Sequence, residues 1–157
     1  MQKGALRARS NPFWVALLCL GILGCGGPLG PIAGGELSGE VVLERVDSWA
    51  FADAEETIAL ETRPDAPHSV TTWCVVVGDQ LYVPSRDPSE KDWVGYVRSD
   101  PRVRVRIGSK IYERSAVELD SEPEILRVAT AVLTKYKLER PDPSEAPPVA
   151  FFRLDPR

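Results

Sequence analysis

Arginine and aliphatic residues alternate without a break over Arg102-Val103-Arg104-Val105-Arg106-Ile107, which puts three guanidinium groups on one face of an extended segment and three aliphatic side chains on the other. A strand is predicted there, and after a turn at Ser109-Lys110 a second one over Ile111 to Leu119. Upstream, Thr57 to Thr62 has the β-branched and apolar content of a strand, closed by Pro64 and Pro67. Ser69 to Val77 and Gln80 to Val83 flank Gly78-Asp79, a two-residue hairpin signal because glycine supplies the positive φ of a primed turn. Gly39 to Val46 and Val149 to Leu154 read as further short strands, with the apolar stretch Trp49 to Asp53 between the first of them and Thr57. Helical spacing occurs twice. Asp87 to Asp92 supplies a proline and an acidic first turn to a helix of about ten residues ending near Asp100-Pro101, with Trp93, Tyr96 and Val97 on one face. Asp120-Ser121-Glu122-Pro123 opens another that runs to about Tyr136, with Ile125, Val128, Ala129 and Val132 at helical spacing. About seven short strands and two helices predict a mainly β, α+β fold: an antiparallel barrel or sheet with helices packed at its ends. A doubly wound parallel sheet does not fit this order.

The first twenty-four residues follow a different logic. Lys3, Arg7 and Arg9 stand in a stretch without acidic residues, followed by the apolar run Phe13 to Gly24. That is the n-region and h-region of a secretory signal, and twelve residues fall short of the roughly twenty needed to cross a bilayer core. The run closes on Ile22-Leu23-Gly24-Cys25, which resembles the lipobox of bacterial lipoproteins. The resemblance implies diacylglycerol on the Cys25 thiol, cleavage before it and acylation, such as palmitate, of the new amino terminus. Several acyl chains give stable membrane anchoring where one gives marginal binding. Gly26 in place of Asp after the cysteine implies, within that family, the outer membrane of a two-membrane cell. Residues 25–38, rich in glycine and nearly uncharged, read as a flexible tether, and 39–157 as one domain.

Composition then narrows the chemistry. The chain has 157 residues and net charge −4; without the signal the balance is −7, which argues against nucleic acid or anionic lipid as a partner held by charge. Cys19 leaves with the signal and lipid consumes Cys25, so Cys74 has no partner for an intrachain disulfide. It sits in the apolar run Trp73 to Val77, six residues from the sole histidine, His68; in an extended strand that separation is nearly 20 Å, so Cys74 reads as packing rather than a nucleophile. No phosphate-cradling glycine loop, nucleophile elbow or metal cluster is present, and the carboxylates lie mostly in loops and helix starts.

The order of elements, together with Leu81-Tyr82-Val83-Pro84-Ser85, the helix bearing Trp93, and Ser99-Asp100-Pro101 leading into the alternating strand, resembles the flavin-binding split β-barrel superfamily. That group includes pyridoxamine-phosphate-oxidase-like and deazaflavin-dependent nitroreductase-like proteins. The resemblance covers about residues 57–119 and implies a split barrel, a homodimer, and FMN or a deazaflavin at the subunit interface. By position, Ser85, Arg86 and Lys91 are the implied phosphate ligands, Trp93 stands at the tryptophan spacing of deazaflavin-type members, and Arg104 and Arg106 could join if a partner covers their face. Other features depart from those patterns: Asp87, Glu90 and Asp92 crowd Lys91, and Pro64-Asp65-Ala66-Pro67-His68 replaces a basic glycine-rich loop. The alternatives are a solvated or edge-protecting arginine face, tryptophans that serve packing, and a non-catalytic lipoprotein whose barrel binds a small molecule or docks a protein.

Overall fold

A computed structural model describes residues 26–157; the expected signal and lipidation site, residues 1–25, lie outside the described residues. The chain forms β1 (Glu40–Val41), β2 (Thr57–Thr62), β3 (His68–Trp73), β4 (Val75–Val77), β5 (Gln80–Arg86), α1 (Asp92–Ser99), β6 (Arg102–Ile107), β7 (Lys110–Glu118), α2 (Glu122–Lys135) and β8 (Val149–Pro156). Short 3₁₀ turns stand at Ala50–Ala52 and Pro88–Glu90. The main sheet runs β3-β2-β6-β7-β8-β5-β4, antiparallel at every step, and β1 adds to β7 in parallel. This is an antiparallel split β-barrel with two helices, the expected fold class.

The two strands at the ends of that order are consecutive in the chain. The extended run expected over Ser69 to Val77 breaks at Cys74, so that His68–Trp73 pairs with β2 while Val75–Val77 pairs with β5 across the Gly78-Asp79 turn. One residue therefore carries the chain from one end of the sheet to the other and rolls it into a barrel. Leaving the ladder strands the N–H and C=O of Cys74, and a buried peptide group without a partner is costly. The Tyr136 hydroxyl, just past α2, serves this corner: it accepts from Cys74 N at 3.0 Å, and its one proton is shared between Cys74 O at 2.8 Å and Glu56 O at 2.7 Å. Its ring stacks on Trp73 at 4.2 Å.

Inward side chains of the strands, among them Leu60, Leu81, Val83, Val105, Tyr112 and Phe152, form the main core. α1 adds Trp93, Val94 and Val97 to it. α2 instead lies outside the barrel, packing Val128 and Val132 against Val75, Tyr82 and Phe151. Polar contacts fix its position: Tyr82 donates to Glu124 at 2.9 Å, and Arg153 pairs with both Glu124 (3.0 Å) and Asp155 (2.7 Å).

Four local expectations are corrected. Of the strand expected over Gly39 to Val46, only Glu40–Val41 pairs, because the chain then leaves the sheet toward the turn at 50–52. The helix expected after Asp87 divides into a 3₁₀ turn and an α1 of eight residues, since Lys91 between them is extended (φ −107°, ψ 112°) and breaks the helical path. β5 runs on through Pro84 to Arg86 rather than ending at Val83; β4 stops opposite Tyr82, leaving an open edge on which the missing proline N–H is tolerated. Finally, the expected tether is packed chain from Gly26 onward. Gly34 exchanges both backbone bonds with Ser69, the Ser69 hydroxyl donates to Gly35 O at 2.7 Å, and Leu37 is buried against Ala59 and Ile111.

Candidate functional site

Strand alternation decides what the residues at the end of β5 can do together. Ser85 follows Leu81 and Val83 on the inward face, while Arg86 follows Tyr82 and Pro84 outward. Ser85 is 4% exposed, and its Oγ is the one buried side-chain oxygen or nitrogen without a hydrogen-bond partner among the described residues. Arg86 is exposed and meets only Asp87, at 3.3 Å. Lys91 is exposed at the start of α1, its backbone carbonyl accepting from Val94 at 3.0 Å. Trp93, two residues on, is turned into the core with its ring edge against Phe152 at 5.4 Å.

The arginines of β6 lie elsewhere. Around the barrel β6 and β5 are separated by β7 and β8 on one side and by β2, β3 and β4 on the other. Val103, Val105 and Ile107 point inward, so Arg102, Arg104 and Arg106 point out. β6 is a central strand, so this face protects no edge, and it is solvated only in part. Arg104 bonds both oxygens of Glu61 (3.0 and 3.2 Å), Glu36 at 3.4 Å and Leu37 O at 3.3 Å. Glu61 is only 3% exposed and also accepts the Leu37 N–H. Arg106 is half-buried beside Gly27, where an added Cβ would come within 3.1 Å of its Nη1. Arg102 reaches back to Asp100, whose carboxyl the guanidinium and the Arg102 N–H hold down to about 2. In a single chain the six implied ligands thus form two groups on opposite sides of the barrel, with Trp93 and Ser85 facing its interior.

Two clefts open on the surface. A small one of about 110 Å³ is lined by Glu36, Glu61, Arg102, Arg104, Glu113 and Arg157. A wider one of about 340 Å³ lies between the β2–β3 turn and the C-terminal end of α1, with Arg63, Pro64, Ala66, Tyr96 and Asp100 in its walls. The Arg63 guanidinium sits 4.5 Å over the Tyr96 ring, and His68 meets that ring edge-on at 5.2 Å. His68 and Cys74 flank opposite ends of β3, in line with the reading of Cys74 as packing. Burial pushes the Cys74 thiol up, against the opposing pull of Lys135, whose Nζ is 3.9 Å from Sγ.

Two polar groups escaped the sequence reading. Glu61 lies in a strand core, not in a loop or helix start; the signal was its pairing register, since it stands across from Arg104 on β6. Arg114 points inward between Tyr112 and Ala116, and its parity with those two residues in an otherwise apolar set was the available sign. It is 8% exposed, makes no ion pair among the described residues, donates to Glu113 O at 2.6 Å and lies 4.9 Å over the Trp49 ring. No helix among the described residues is long and apolar enough to cross a membrane.

The architecture is shared with solved structures. A protein of Listeria innocua assigned provisionally as a pyridoxamine 5'-phosphate oxidase superposes with a TM-score of 0.53 at 21% identity, covering 69% of this chain and 89% of its own. A conserved hypothetical protein of Mycobacterium tuberculosis superposes at 0.56, also at 21% identity, covering 74% of this chain and 86% of its own. Comparison with family models gives no match, nor does comparison with the curated proteins. What the likeness shows is the fold class, an antiparallel split β-barrel with two helices. No narrower identity follows from likeness at this level.

Proposed function

We propose that the protein is an exported, lipid-anchored split-barrel protein that holds a flavin-type cofactor, FMN or a deazaflavin, between two copies of the chain for electron or hydride transfer. What supports the cofactor is the barrel itself, with the exposed cations Arg86 and Lys91 where β5 leads into α1. The fit is partial. Arg86 and Lys91 suit a phosphate, since one offers a bidentate fork and the other a mobile ammonium. Ser85 does not join them, because it faces the opposite side of β5. Arg104 is spent on Glu61, so a single chain supplies part of a phosphate site and a second copy must complete it. Flavin, once bound, would supply the redox chemistry, and the chain's own residues would hold and orient it.

The lipid anchor rests on the lipobox Ile22-Leu23-Gly24-Cys25 and its n- and h-regions. Membrane attachment by that lipid, in the outer membrane of a two-membrane cell, completes the reading. A second reading, a non-catalytic module that binds a small molecule or docks a protein, is favoured by one observation: the implied ligands divide between opposite sides of the barrel.

Titration of the purified full chain with FMN and with a deazaflavin, followed by fluorescence, separates the two. Saturable binding weakened at least tenfold by Arg86→Ala or Lys91→Ala supports the redox reading. No binding at millimolar ligand by a folded dimer leaves the binding module.

A further inference from the structure

Gly26 to Gly35 form a small hairpin of their own. Gly35 N donates to Gly26 O at 3.1 Å, and Leu29 and Ile32 exchange both backbone bonds, at 3.1 and 3.0 Å, across a turn in which Gly30 has φ 57°. Its base is clamped to the barrel by the paired Gly34 and Ser69 bonds, by buried Pro28 and by Arg106 beside Gly27. Gly34 allows the close approach: a Cβ there would stand 2.5 Å from the Gly27 carbonyl carbon. The tip turns outward instead, with Leu29 76% and Ile32 67% exposed. All ten residues are glycine, proline, alanine, leucine or isoleucine, so no side chain in the hairpin is polar.

We propose that this tip enters the lipid surface beside the anchor and fixes the barrel's orientation on the membrane. The inference rests on the lipoprotein reading. Leu29 is four residues from Cys25, so at most about 14 Å of chain separates it from the acylated residue, comparable to the hydrocarbon thickness of one leaflet, about 15 Å. An uncharged segment gives up no ion hydration on entering the interface, and the cross-hairpin bonds already satisfy the backbone of Leu29 and Ile32, which would otherwise oppose entry. The occupant is thus acyl chain and glycerol-level lipid, not an anionic headgroup. With the hairpin seated on β3 and beside β6, the outer face of β2, β3 and β6 lies toward the membrane, and α2, outside β4, β5 and β8, lies away from it.

The test uses full-length chain purified from bacterial membranes, its lipid checked by intact mass, and reconstituted in vesicles of phosphatidylcholine with brominated acyl chains. The emission that Leu29→Trp adds to that of the native Trp49, Trp73 and Trp93, taken as the difference from the unsubstituted chain, should fall by at least half relative to unbrominated vesicles. The emission added by Leu126→Trp, at a position exposed on α2, should lose almost none. The result should not change when a third of the lipid is phosphatidylglycerol. A lipidated chain in which Leu29→Trp is no more quenched than Leu126→Trp, or is quenched only with anionic lipid, overturns the tip contact and leaves the anchor standing. A membrane-derived chain that lacks the lipid mass overturns the anchor, and the tip contact with it.

Discussion

Without the hydroxyl of Tyr136, the peptide groups of Cys74 lose the partner that replaces the sheet ladder at the barrel's closing corner. Tyr136→Phe keeps the stack on Trp73 but leaves these groups unpaired, and should cost about 1–3 kcal/mol, read as a lower urea midpoint at unchanged slope. The same phenol reports its surroundings spectroscopically. Burial pushes Tyr136 up to about 12, and burial with the bond to Glu124 does the same for Tyr82. Both groups hold their proton more tightly folded than unfolded, where they titrate near 10. Their contribution is complete below pH 10 and is lost as pH rises toward 12. Two phenolate equivalents should therefore appear near pH 12 in an absorbance titration, coincident with alkaline unfolding, and Tyr82→Phe or Tyr136→Phe should each remove one. Cys74, buried beside these groups with a raised thiol, should resist a thiol-specific disulfide reagent at neutral pH and react fully in denaturant. Glu61→Ala leaves the buried Leu37 N–H without its partner and Arg104 with only Glu36 and Leu37 O, and should lower stability by about 2–3 kcal/mol in the same urea assay.

Elements were legible where side chains alternate or recur. β2 has the expected bounds, β6 and β7 lie within a residue of theirs, and α2 begins at the capping segment read for it, because each carries its own period. The break at Cys74 carried no such sign, since the residue that satisfies it lies 62 positions away. The packed hairpin at 26–35 was hidden by composition: glycine and proline read as a tether whether they float or are clamped, and only Ser69, on a distant strand, distinguishes the two. The site fared similarly. The resemblance implied Ser85, Arg86 and Lys91 as joint phosphate ligands; with β5 extended through Pro84, Ser85 and Arg86 face opposite sides of a strand. Gly34→Ala drives a methyl into the Gly27 backbone and should free the hairpin, seen as faster amide exchange at Ser69 with the rest of the barrel unchanged.

At the scale of the whole molecule, β8 lies between β7 and β5 although it is the last strand in the chain. Its inward residues Phe152 and Leu154 are each 1% exposed. Removing residues 149–157 takes a central strand rather than an edge, so the truncated chain should show no cooperative unfolding transition by circular dichroism. The flavin reading adds a second requirement, a partner copy to complete what Arg86 and Lys91 begin. The position of β8 also sets a clock. Synthesis must pass β8 before the sheet can close, so a nascent chain stays loose until residues 149–156 have been made. Under the proposed export, that interval is when translocation machinery can thread an unfolded polypeptide, and the barrel would lock only after β8 had crossed.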